Sequence, residues 1–238
     1  MTEAICQTDA YARTNEATVA EVLTDALVLD RTVFDARSDG QPGDTGRIRW
    51  AAGEVPVTDT YQRDDRYRHQ IDPNAVLPTP GTRVTAEIDW PRRHLLMRTH
   101  TALHVLSGIV WREFGAKVTG GNMVPGEARM DFELDSMSAE FGRDVEARLN
   151  TAIGEDHPVT VLFLPRTQAL SDLDLIRTKV NLIPENVDPI RIIDIEGIDR
   201  QADGGTHVRA TGEVGRVRVV KTESKGKAFK RMRIAVGD

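Results

Sequence analysis

Residues 93–114 carry the pattern that decides the fold around them. They read Arg93-His-Leu-Leu-Met-Arg-Thr-His-Thr-Ala-Leu-His-Val-Leu-Ser-Gly-Ile-Val-Trp-Arg-Glu-Phe114. Apolar residues recur in this stretch near helical spacing, which predicts one long helix with an apolar stripe against a core. The residues that form this stripe are Leu96, Leu103, Leu106, Val110 and Phe114.

Short strands precede the helix. Residues 15–90 alternate β-branched and apolar segments with turn sequences such as Ser38-Asp-Gly-Gln-Pro-Gly-Asp-Thr-Gly46. This spacing predicts a small antiparallel β-barrel. Pro91 breaks the strand pattern, so we predict an N-terminal barrel-like domain over residues 1–90 and a second domain over residues 91–238.

The second domain is predicted to mix helices with strands, which makes the fold class of the whole chain α+β. Apolar periodicity, turn residues and a serine cap at Ser136 or Ser138 place its other elements. They are strands near residues 116–124, 128–134, 159–165 and 189–195, helices over residues 138–154 and 170–180, and a terminal hairpin of residues 214–222 and 228–236.

The composition excludes several classes of protein. No apolar run in the 238 residues is long enough to cross a bilayer, and the N-terminus lacks the basic start and apolar core of a signal peptide. Cys6 is the only cysteine, so no intrachain disulfide and no cysteine-rich metal site can form. We therefore expect a cytoplasmic protein without a membrane partner, in which Cys6 is inert in a frayed terminus.

Charge is distributed unevenly along the chain. The formal net charge is −6, which argues against indiscriminate binding of nucleic acid. Between Arg216 and Arg233, however, eight basic residues accompany a single acid, Glu223, so this stretch carries +7 and the remainder −13. Such a stretch is typical of a surface that meets a polyanion, but an edge hairpin whose lysines block aggregation has the same pattern. Composition alone favours neither interpretation.

Two short motifs offer four metal ligands. His100 and His104 are four positions apart and therefore project from the same face of the predicted helix. The second motif is Asp203-Gly-Gly-Thr-His207. Taken singly, the first also fits two hydrogen-bonded histidines and the second a plain Asp-Gly-Gly turn before a strand. Together they favour a zinc site, because imidazole nitrogen and carboxylate oxygen both suit this ion.

The residues around these motifs narrow the chemistry. A zinc protease needs His-Glu-x-x-His, in which the glutamate is the general base, but Thr101 stands in that position here. Gly204 and Gly205 permit a tight turn and leave backbone N–H groups near a ligand. The pattern therefore indicates a metal site of another kind, with its ligands on a helix and a glycine-containing loop.

The two motifs, His100-x-x-x-His104 and Gly-Gly-Thr-His207-Val, resemble those of the zinc-binding editing domain of alanyl-tRNA synthetases and of their free-standing relatives, the AlaX-type editing hydrolases. Threonyl-tRNA synthetase carries a similar domain. The resemblance covers roughly residues 15–236. The other segments that carry it are Asp30-Arg-Thr-Val-Phe34, Gly40-Gln-Pro-Gly-Asp-Thr-Gly46, Ile88-Asp-Trp90, Arg129-Met-Asp-Phe132 and residues 213–233.

The chain departs from the family pattern at two places. The family usually has Cys-Gly-Gly-Thr-His with cysteine as a zinc ligand, and Asp203 stands at that position here. Asp203 either takes the place of the cysteine or lies behind the ligands while water fills the fourth position. The family's Phe-Tyr-Pro-x-Gly-Gly-Gly-Gln-Pro is Phe34-Asp-Ala-Arg-Ser-Asp-Gly-Gln-Pro42 here, which alters half of a loop expected to meet the tRNA end.

The resemblance implies an aminoacyl-tRNA hydrolase that removes a mischarged amino acid from tRNA(Ala) in trans, with zinc and without ATP. Serine is the first expectation for that amino acid and glycine the second. The implied zinc ligands are His100, His104, Asp203 and His207. The implied substrate-binding residues are Gln41, Thr119, Gly120, Gln201, Gly204, Gly205 and Thr206, and the implied tRNA-binding residues are Lys221, Lys225, Lys227, Lys230 and Arg231.

The role of zinc stays open at this point. The ion can polarise the ester, orient the aminoacyl group or lower the pKa of bound water toward about 7. No side chain is assigned as catalytic; since no general base accompanies the motifs, zinc-bound water or the ribose hydroxyl is favoured. Thr119 also fits an ordinary strand threonine.

Two further interpretations of the whole chain remain. Because Asp203 replaces a cysteine, the chain also fits a non-catalytic tRNA-binding module with a structural or degenerate metal site. The second interpretation is an editing enzyme with another amino-acid preference, as in the similar domain of threonyl-tRNA synthetase.

Overall fold

The computed structural model describes residues 2–38, 40–172, 175, 183, 185, 187–226 and 228–237. These residues form three α-helices and sixteen strands, and the strands pair in antiparallel fashion except for one pair of two-residue strands. The predicted mixture of helices with antiparallel strands is therefore confirmed. The chain divides into two units, Met1–Leu95 and Leu96–Asp238. No helix in the described ranges is long and apolar enough to span a membrane.

The first unit is built on a seven-stranded sheet with the order β6-β5-β9-β2-β3-β8-β7. Its core consists of inward-facing side chains such as Leu27, Leu29, Ile48 and Val84, all of which are buried. A 3₁₀ turn at Ile5–Gln7 follows the first strand. The strands of this unit are β1 (Glu3–Ala4), β2 (Thr14–Val22), β3 (Ala26–Leu29), β4 (Arg31–Thr32), β5 (Gly46–Trp50), β6 (Gly53–Val57), β7 (Asp59–Arg63), β8 (Arg66–Gln70) and β9 (Arg83–Ile88).

This sheet is not the closed barrel that the strand spacing predicts. In the described part of the chain β6 and β7 are its two edges, although only Thr58 separates them. A one-residue link spans at most about 7 Å, so the sheet must curl until the edges approach at one end. Closure fails because the backbone N–H of Arg37 donates to Thr60 on β7 (2.8 Å), and Pro56 on β6 has no N–H for a ladder.

A buried ion pair holds the glycine-containing segment of the first unit. The guanidinium of Arg93 is completely buried and pairs with the carboxylate of Asp44. It also donates to the carbonyls of Val33 (2.8 Å) and Ala10 (3.1 Å). Removing one partner would leave an unpaired buried charge, which costs about 3–5 kcal/mol. Burial alone would lower the pKa of Arg93, but Asp44 outweighs burial and raises it.

The N-terminus is ordered by the same unit. Cys6, expected in a frayed terminus, is buried and its thiol lies 3.5 Å from the carbonyl oxygen of Phe34. The strand β1 next to it pairs with β4, and this pairing fixes the first residues of the chain.

The long helix α1 spans Trp90–Phe114. It confirms the helix predicted over residues 93–114 and begins three residues earlier, because Pro91 in the first turn needs no N–H donor. The carboxylate of Asp89 accepts the N–H of Arg92 (3.3 Å) and completes the helix start. The two units divide within α1, after Leu95; the domain boundary at Pro91 stays a prediction.

The apolar stripe of α1 is buried as predicted, with one exception. Leu96, Leu103, Leu106 and Val110 are buried, whereas Phe114 is 43% exposed. The ring of Phe114 instead contacts the ring of Phe141, with centroids 4.9 Å apart.

The second unit contains two antiparallel sheets. The four-stranded sheet has the order β10-β11-β16-β15 and the three-stranded sheet the order β12-β13-β14. A 3₁₀ turn at Thr211–Val214 precedes β15. The elements are β10 (Val118–Val124), β11 (Glu127–Phe132), α2 (Ala139–Gly154), β12 (Val159–Leu164), α3 (Arg166–Ser171), β13 (Ile190–Ile195), β14 (Asp199–Ala202), β15 (Arg216–Gly226) and β16 (Phe229–Gly237).

Helix α2 begins at its predicted cap and packs on the four-stranded sheet. The hydroxyl of Ser138 accepts the N–H of Phe141 (3.0 Å), so of the two predicted caps Ser138 is correct. A Cβ on Gly142 would lie 2.8 Å from a methyl group of Thr222, which shows how closely α2 approaches β15. The helix predicted over residues 170–180 falls mostly outside the described residues, and β14 was not predicted.

Candidate metal centre

Two elements of the second unit bring the four predicted ligands together. His100 and His104 lie one turn apart on α1, and the loop after β14 carries Asp203 and His207. The carboxylate of Asp203 lies 3.5 Å from Nε2 of His100, 3.8 Å from Nε2 of His104 and 3.2 Å from Nε2 of His207. One donor atom from each of the four residues lies within 4.8 Å of every other.

The spacing of these donors fits zinc. Zinc binds imidazole nitrogen and carboxylate oxygen at roughly 2.0–2.2 Å in a tetrahedral arrangement, which places neighbouring donors roughly 3.3–3.6 Å apart. The three distances, measured to both oxygens of Asp203, lie close to that range, and a bound ion would draw together the other donors, which lie within 4.8 Å of one another. Three imidazoles and one carboxylate are also a donor set that this ion accepts. Spacing and donor chemistry therefore agree on a site for one divalent ion.

Two hydrogen bonds orient the imidazoles toward the common point. Nδ1 of His104 donates to the buried carboxylate of Asp199 (2.8 Å), because an ionised carboxylate can only accept. Nδ1 of His207 lies 3.2 Å from the hydroxyl of Thr101. With a proton held on Nδ1, each ring can offer the lone pair of Nε2 on the side of Asp203 once Nε2 is deprotonated, which is the arrangement that metal-binding histidines usually have.

Burial and the carboxylates set the charges of the cluster. Burial lowers the pKa of His100 to about 4 and that of His207 well below its ordinary value. Burial also disfavours ionised Asp203, but His100 and His104 outweigh this and hold the pKa of Asp203 well below its usual range. For His104, burial is outweighed by Asp199 and Asp203, which raise its pKa to about 9. Binding of a metal through His104 therefore requires release of one proton.

An arginine donates hydrogen bonds to the backbone of the loop that carries Asp203 and His207. Nη1 of Arg191, on β13, donates to the carbonyls of Asp203 (2.9 Å) and Gly205 (2.8 Å). The N–H of Gly205 donates to the carboxylate of Asp203 (2.6 Å). These bonds fix the backbone of the loop and turn the Asp203 side chain toward the histidines.

No described atom occupies the position next to Gly204 where a side chain would lie. A Cβ on this residue would meet no described atom within 4 Å, and its φ lies outside the left-handed region. The fold therefore does not require glycine at this position. A glycine backbone beside open space permits close approach of a ligand, and the substrate role of Gly204 stays a prediction.

Asp199 reaches His104 because α1 and the turn before β14 touch. A Cβ on Gly108, one turn after His104, would lie 2.5 Å from the carbonyl oxygen of Ile198. The amide of Gln201 donates to the carboxylate of Asp199 (2.7 Å) and to the hydroxyl of Ser107 (3.2 Å). Gln201, which is predicted to position substrate, thus hydrogen-bonds in the structure to Asp199, the residue that accepts from His104.

The sequence motifs do not include Asp199, Arg191 or Ser107. Asp199 precedes Asp203 by four residues, and this closeness to a predicted ligand is the signal in the sequence that marks it. Nothing in the local sequence marks Arg191 or Ser107, since each acts through a contact that only the fold creates.

Of the other predicted substrate residues, Thr119 and Gly120 lie on β10, and Thr206 lies in the loop of Asp203 and His207. Thr119 lies at a β-bulge between Val118 and Gly120, and among the described residues its buried hydroxyl has no hydrogen-bond partner. Gly120 pairs with Asp131 on β11, and Thr206 is fully buried.

Gln41 belongs to the first unit and is buried there. Its amide donates to the carboxylate of Asp35 (2.9 Å). This bond gives Gln41 a structural contact in the glycine-containing segment, and its substrate role stays a prediction.

The basic hairpin is partly neutralised. Lys221 and Lys225 pair with Glu223, whose pKa the hydrogen bond from Lys221 and the neighbouring cations lower to about 2. Arg231 makes two hydrogen bonds to Asp131 (2.7 and 2.9 Å). Lys230 is buried and donates to the carbonyl of Gly226 (2.7 Å). Lys227 lies outside the described residues.

Comparisons with known proteins agree over the whole chain. A family model described as threonyl and alanyl tRNA synthetase second additional domain matches residues 190–233, and one described as tRNA synthetases class II (A) matches residues 2–92. The alanyl-tRNA editing protein AlaX-M of Methanosarcina acetivorans is 37% identical over 98% of this chain and 98% of its own length. That of Saccharolobus solfataricus is 36% identical over 98% of both chains. The alanine–tRNA ligase of Pyrococcus abyssi is 35% identical over 97% of this chain and 25% of its own.

We predict that Asp199→Asn weakens zinc binding about 10- to 100-fold, because His104 keeps a hydrogen bond but loses the adjacent charge. Competition with a chromophoric zinc chelator measures the affinity directly. Asp194→Asn on β13, whose carboxylate pairs with Arg200, is the matched control and should bind zinc as the wild type does. Equal affinities of Asp199→Asn and the wild type would exclude Asp199 as a support of the centre.

Proposed function

Since the chain belongs to the family of AlaX-M alanyl-tRNA editing proteins, we propose that it is a zinc-dependent hydrolase that removes a wrong amino acid from tRNA(Ala) in trans. Serine is the proposed first substrate and glycine the second. The observation that carries the proposal is the convergence of His100, His104, Asp203 and His207 beside the open space at Gly204. Four donors at one point support zinc binding, and the partly exposed side chains of His100 and Asp203 support access from solvent.

The side chains have distinct tasks in this proposal. His100, His104, His207 and Asp203 hold the ion, while Asp199 keeps the proton of His104 on Nδ1 so that Nε2 stays free. A zinc ion held there supplies Lewis acidity toward an ester carbonyl. Asp203 donates less electron density than the thiolate usual in the family, so it leaves the ion a stronger Lewis acid.

The reaction is hydrolysis of the ester between the amino acid and the terminal ribose. The oxygen of water adds to the acyl carbon, the bond from that carbon to the ribose oxygen breaks, and the ribose oxygen takes up a proton. The chain holds the aminoacyl end while this happens. The exposed backbone of Gly204, next to Gly205 whose carbonyl accepts from Arg191, is the surface against which we place that end.

Thr119 is the proposed selectivity residue. Serine differs from alanine by one hydroxyl, and a site rewards that hydroxyl only if a polar group meets it. The Thr119 hydroxyl is buried and unpaired within the described residues, a state that costs about 1–3 kcal/mol. A bound serine would supply the missing partner, whereas alanine would leave it unpaired.

A second candidate is a non-catalytic tRNA-binding module with a structural zinc. The four protein donors favour it, because structural zinc sites are closed by four protein ligands while catalytic sites keep one position open. Against it stand the open space at Gly204 and the ability of zinc to expand to five ligands. Only the presence or absence of turnover separates the two candidates.

The decisive experiment is deacylation of seryl-, glycyl- and alanyl-tRNA(Ala) with the zinc-loaded and the chelator-treated protein. We expect rapid loss of serine, with alanine spared, and we expect chelation or His104→Ala to abolish it because one donor or the ion is missing. The first unit should remain folded in His104→Ala. Absence of turnover on every substrate, with tight tRNA binding retained, would establish the binding module instead.

Thr119→Val tests selectivity. The substitution keeps the side-chain shape and removes the unpaired hydroxyl, so thermal stability should be unchanged or higher. We expect kcat/KM for seryl-tRNA(Ala) to fall roughly 10- to 100-fold, while the slow rate with alanyl-tRNA(Ala) stays the same. Thr160→Val on β12 is the control, since within the described residues its hydroxyl donates only to the carbonyl of Asp194 (3.5 Å). Undiminished preference for serine would assign selectivity elsewhere.

A further inference from the structure

The two faces of the four-stranded sheet differ sharply. On one face, Met130, Met232 and Ile234 are buried, and α2 packs there beside Val219 and Thr222. On the opposite face the side chains reach solvent: the exposed fractions are 29% for Arg129, 43% for Arg233 and 61% for Lys221. We call this second surface the open face.

Strand register aligns hydrogen-bond donors in one row across the open face. Asn122 on β10 pairs with Arg129 on β11, Arg129 pairs with Arg233 on β16, and Arg233 pairs with Lys221 on β15. Directly paired residues of antiparallel strands point to the same side. Four neighbouring strands span about 14 Å, so this donor row crosses the whole sheet.

The neighbouring row of residues contains the acids that compensate for the positive charges of the donor row. Like charges opposite each other destabilise a sheet, yet Arg129, Arg233 and Lys221 are neighbours. Asp131 accepts from Arg129 (2.8 Å), and Glu223 accepts from Arg233 (3.1 Å) and lies 3.0 Å from Lys221. Each cation is thereby fixed through one side of its head group, and an arginine has further donors for a ligand.

The open face keeps a positive balance after this pairing. Its two central acids, Asp131 and Glu223, face five cations, which are Arg129, Arg231, Arg233, Lys221 and Lys225. This excess lies on a chain whose net charge is −6, so a polyanion is drawn to this place and not to the chain as a whole.

A shallow groove follows the donor row from Asn122 to Arg233. Its volume is about 340 Å³, and its walls include Asn122, Glu127, Arg129, Val220 and Arg233. Val220 is 63% exposed at the bulge before Lys221, and it offers an apolar contact beside the charges. Glu127 borders one side and repels an anion from that direction.

We propose that the open face binds the sugar-phosphate backbone of the tRNA, with Asn122, Arg129, Arg233 and Lys221 as donors to phosphate oxygens. Such contacts position nucleic acid without reading its sequence. The inference rests on the proposed function, because it takes tRNA as the partner. The sequence predicted that the terminal hairpin as a whole binds tRNA, whereas the proposed contact is confined to the open face. Lys230 does not belong to the open face, because it pairs with Phe132 and is buried.

The position of Gly120 supports this path. The row next to the donors runs from Gly120 through Asp131 and Arg231 to Glu223. Gly120 is therefore only two residues, about 7 Å, from Asn122 along β10. RNA that lies on the donor row passes beside the bulge at Thr119, the proposed selectivity residue.

The test is binding of uncharged tRNA(Ala), measured by fluorescence anisotropy at several salt concentrations. The double variant Arg129→Gln/Arg233→Gln should bind more weakly, and its plot of log K against log salt should be shallower by about 2, one for each lost phosphate contact. The control Arg143→Gln/Arg148→Gln removes the same charge from exposed positions on α2 and should keep the wild-type slope. Circular dichroism and thermal unfolding verify that both proteins are folded.

The outcomes separate this inference from the proposed function. An unchanged slope in the Arg129/Arg233 variant, or an equal change in the α2 control, would overturn the open face as the RNA surface. Competition by polyglutamate that is as strong as competition by tRNA at equal charge would also overturn the open face as an RNA surface, since any polyanion would then bind there. Uncharged tRNA contains no ester, so a shallower slope in a protein that hydrolyses no aminoacyl-tRNA would support the open face and reject the hydrolase.

Discussion

Convergence of three imidazoles and one carboxylate on a single point is the constraint on which the second unit depends. Bringing such groups together away from water costs free energy unless each has a partner, and the surrounding residues supply those partners. Asp199 holds His104, Thr101 holds His207, and Gly205 holds Asp203. The ion that fits the four donors would complete the balance, because a divalent charge compensates for the burial of Asp203.

Sequence alone was sufficient to find the four candidate donors that the structure brings together, and insufficient for the residues that support them. His100 and His104 follow from helical spacing, and the Asp-Gly-Gly-Thr-His motif marks Asp203 and His207, since both patterns are local. The supports are not local. Arg191 acts through backbone carbonyls of a loop twelve residues away, and Asp199 reaches His104 only because Gly108 lets a turn touch the helix.

The same distinction explains the fold. Periodicity located α1, and a serine cap located the start of α2, because these signals lie within one element. Closure of the first sheet depends instead on what occupies its edges. The segment at Arg37 takes the edge of β7, and strand spacing contains no information about that contact. The donor row of the open face is likewise a product of register between four strands, and Asn122 and Arg233 in that row are 111 positions apart in the chain.

X-ray absorption at the zinc edge tests most directly whether residue 203 closes the metal centre. Asp203→Cys places a sulfur atom at this position, and the wild type offers no thiol other than Cys6 of the first unit. We predict only nitrogen and oxygen neighbours at about 2.0–2.2 Å in the wild type, and one sulfur at about 2.3 Å in place of the carboxylate oxygen in the variant. A variant that binds zinc without a sulfur neighbour would contradict Asp203 as a ligand and the four-donor centre with it.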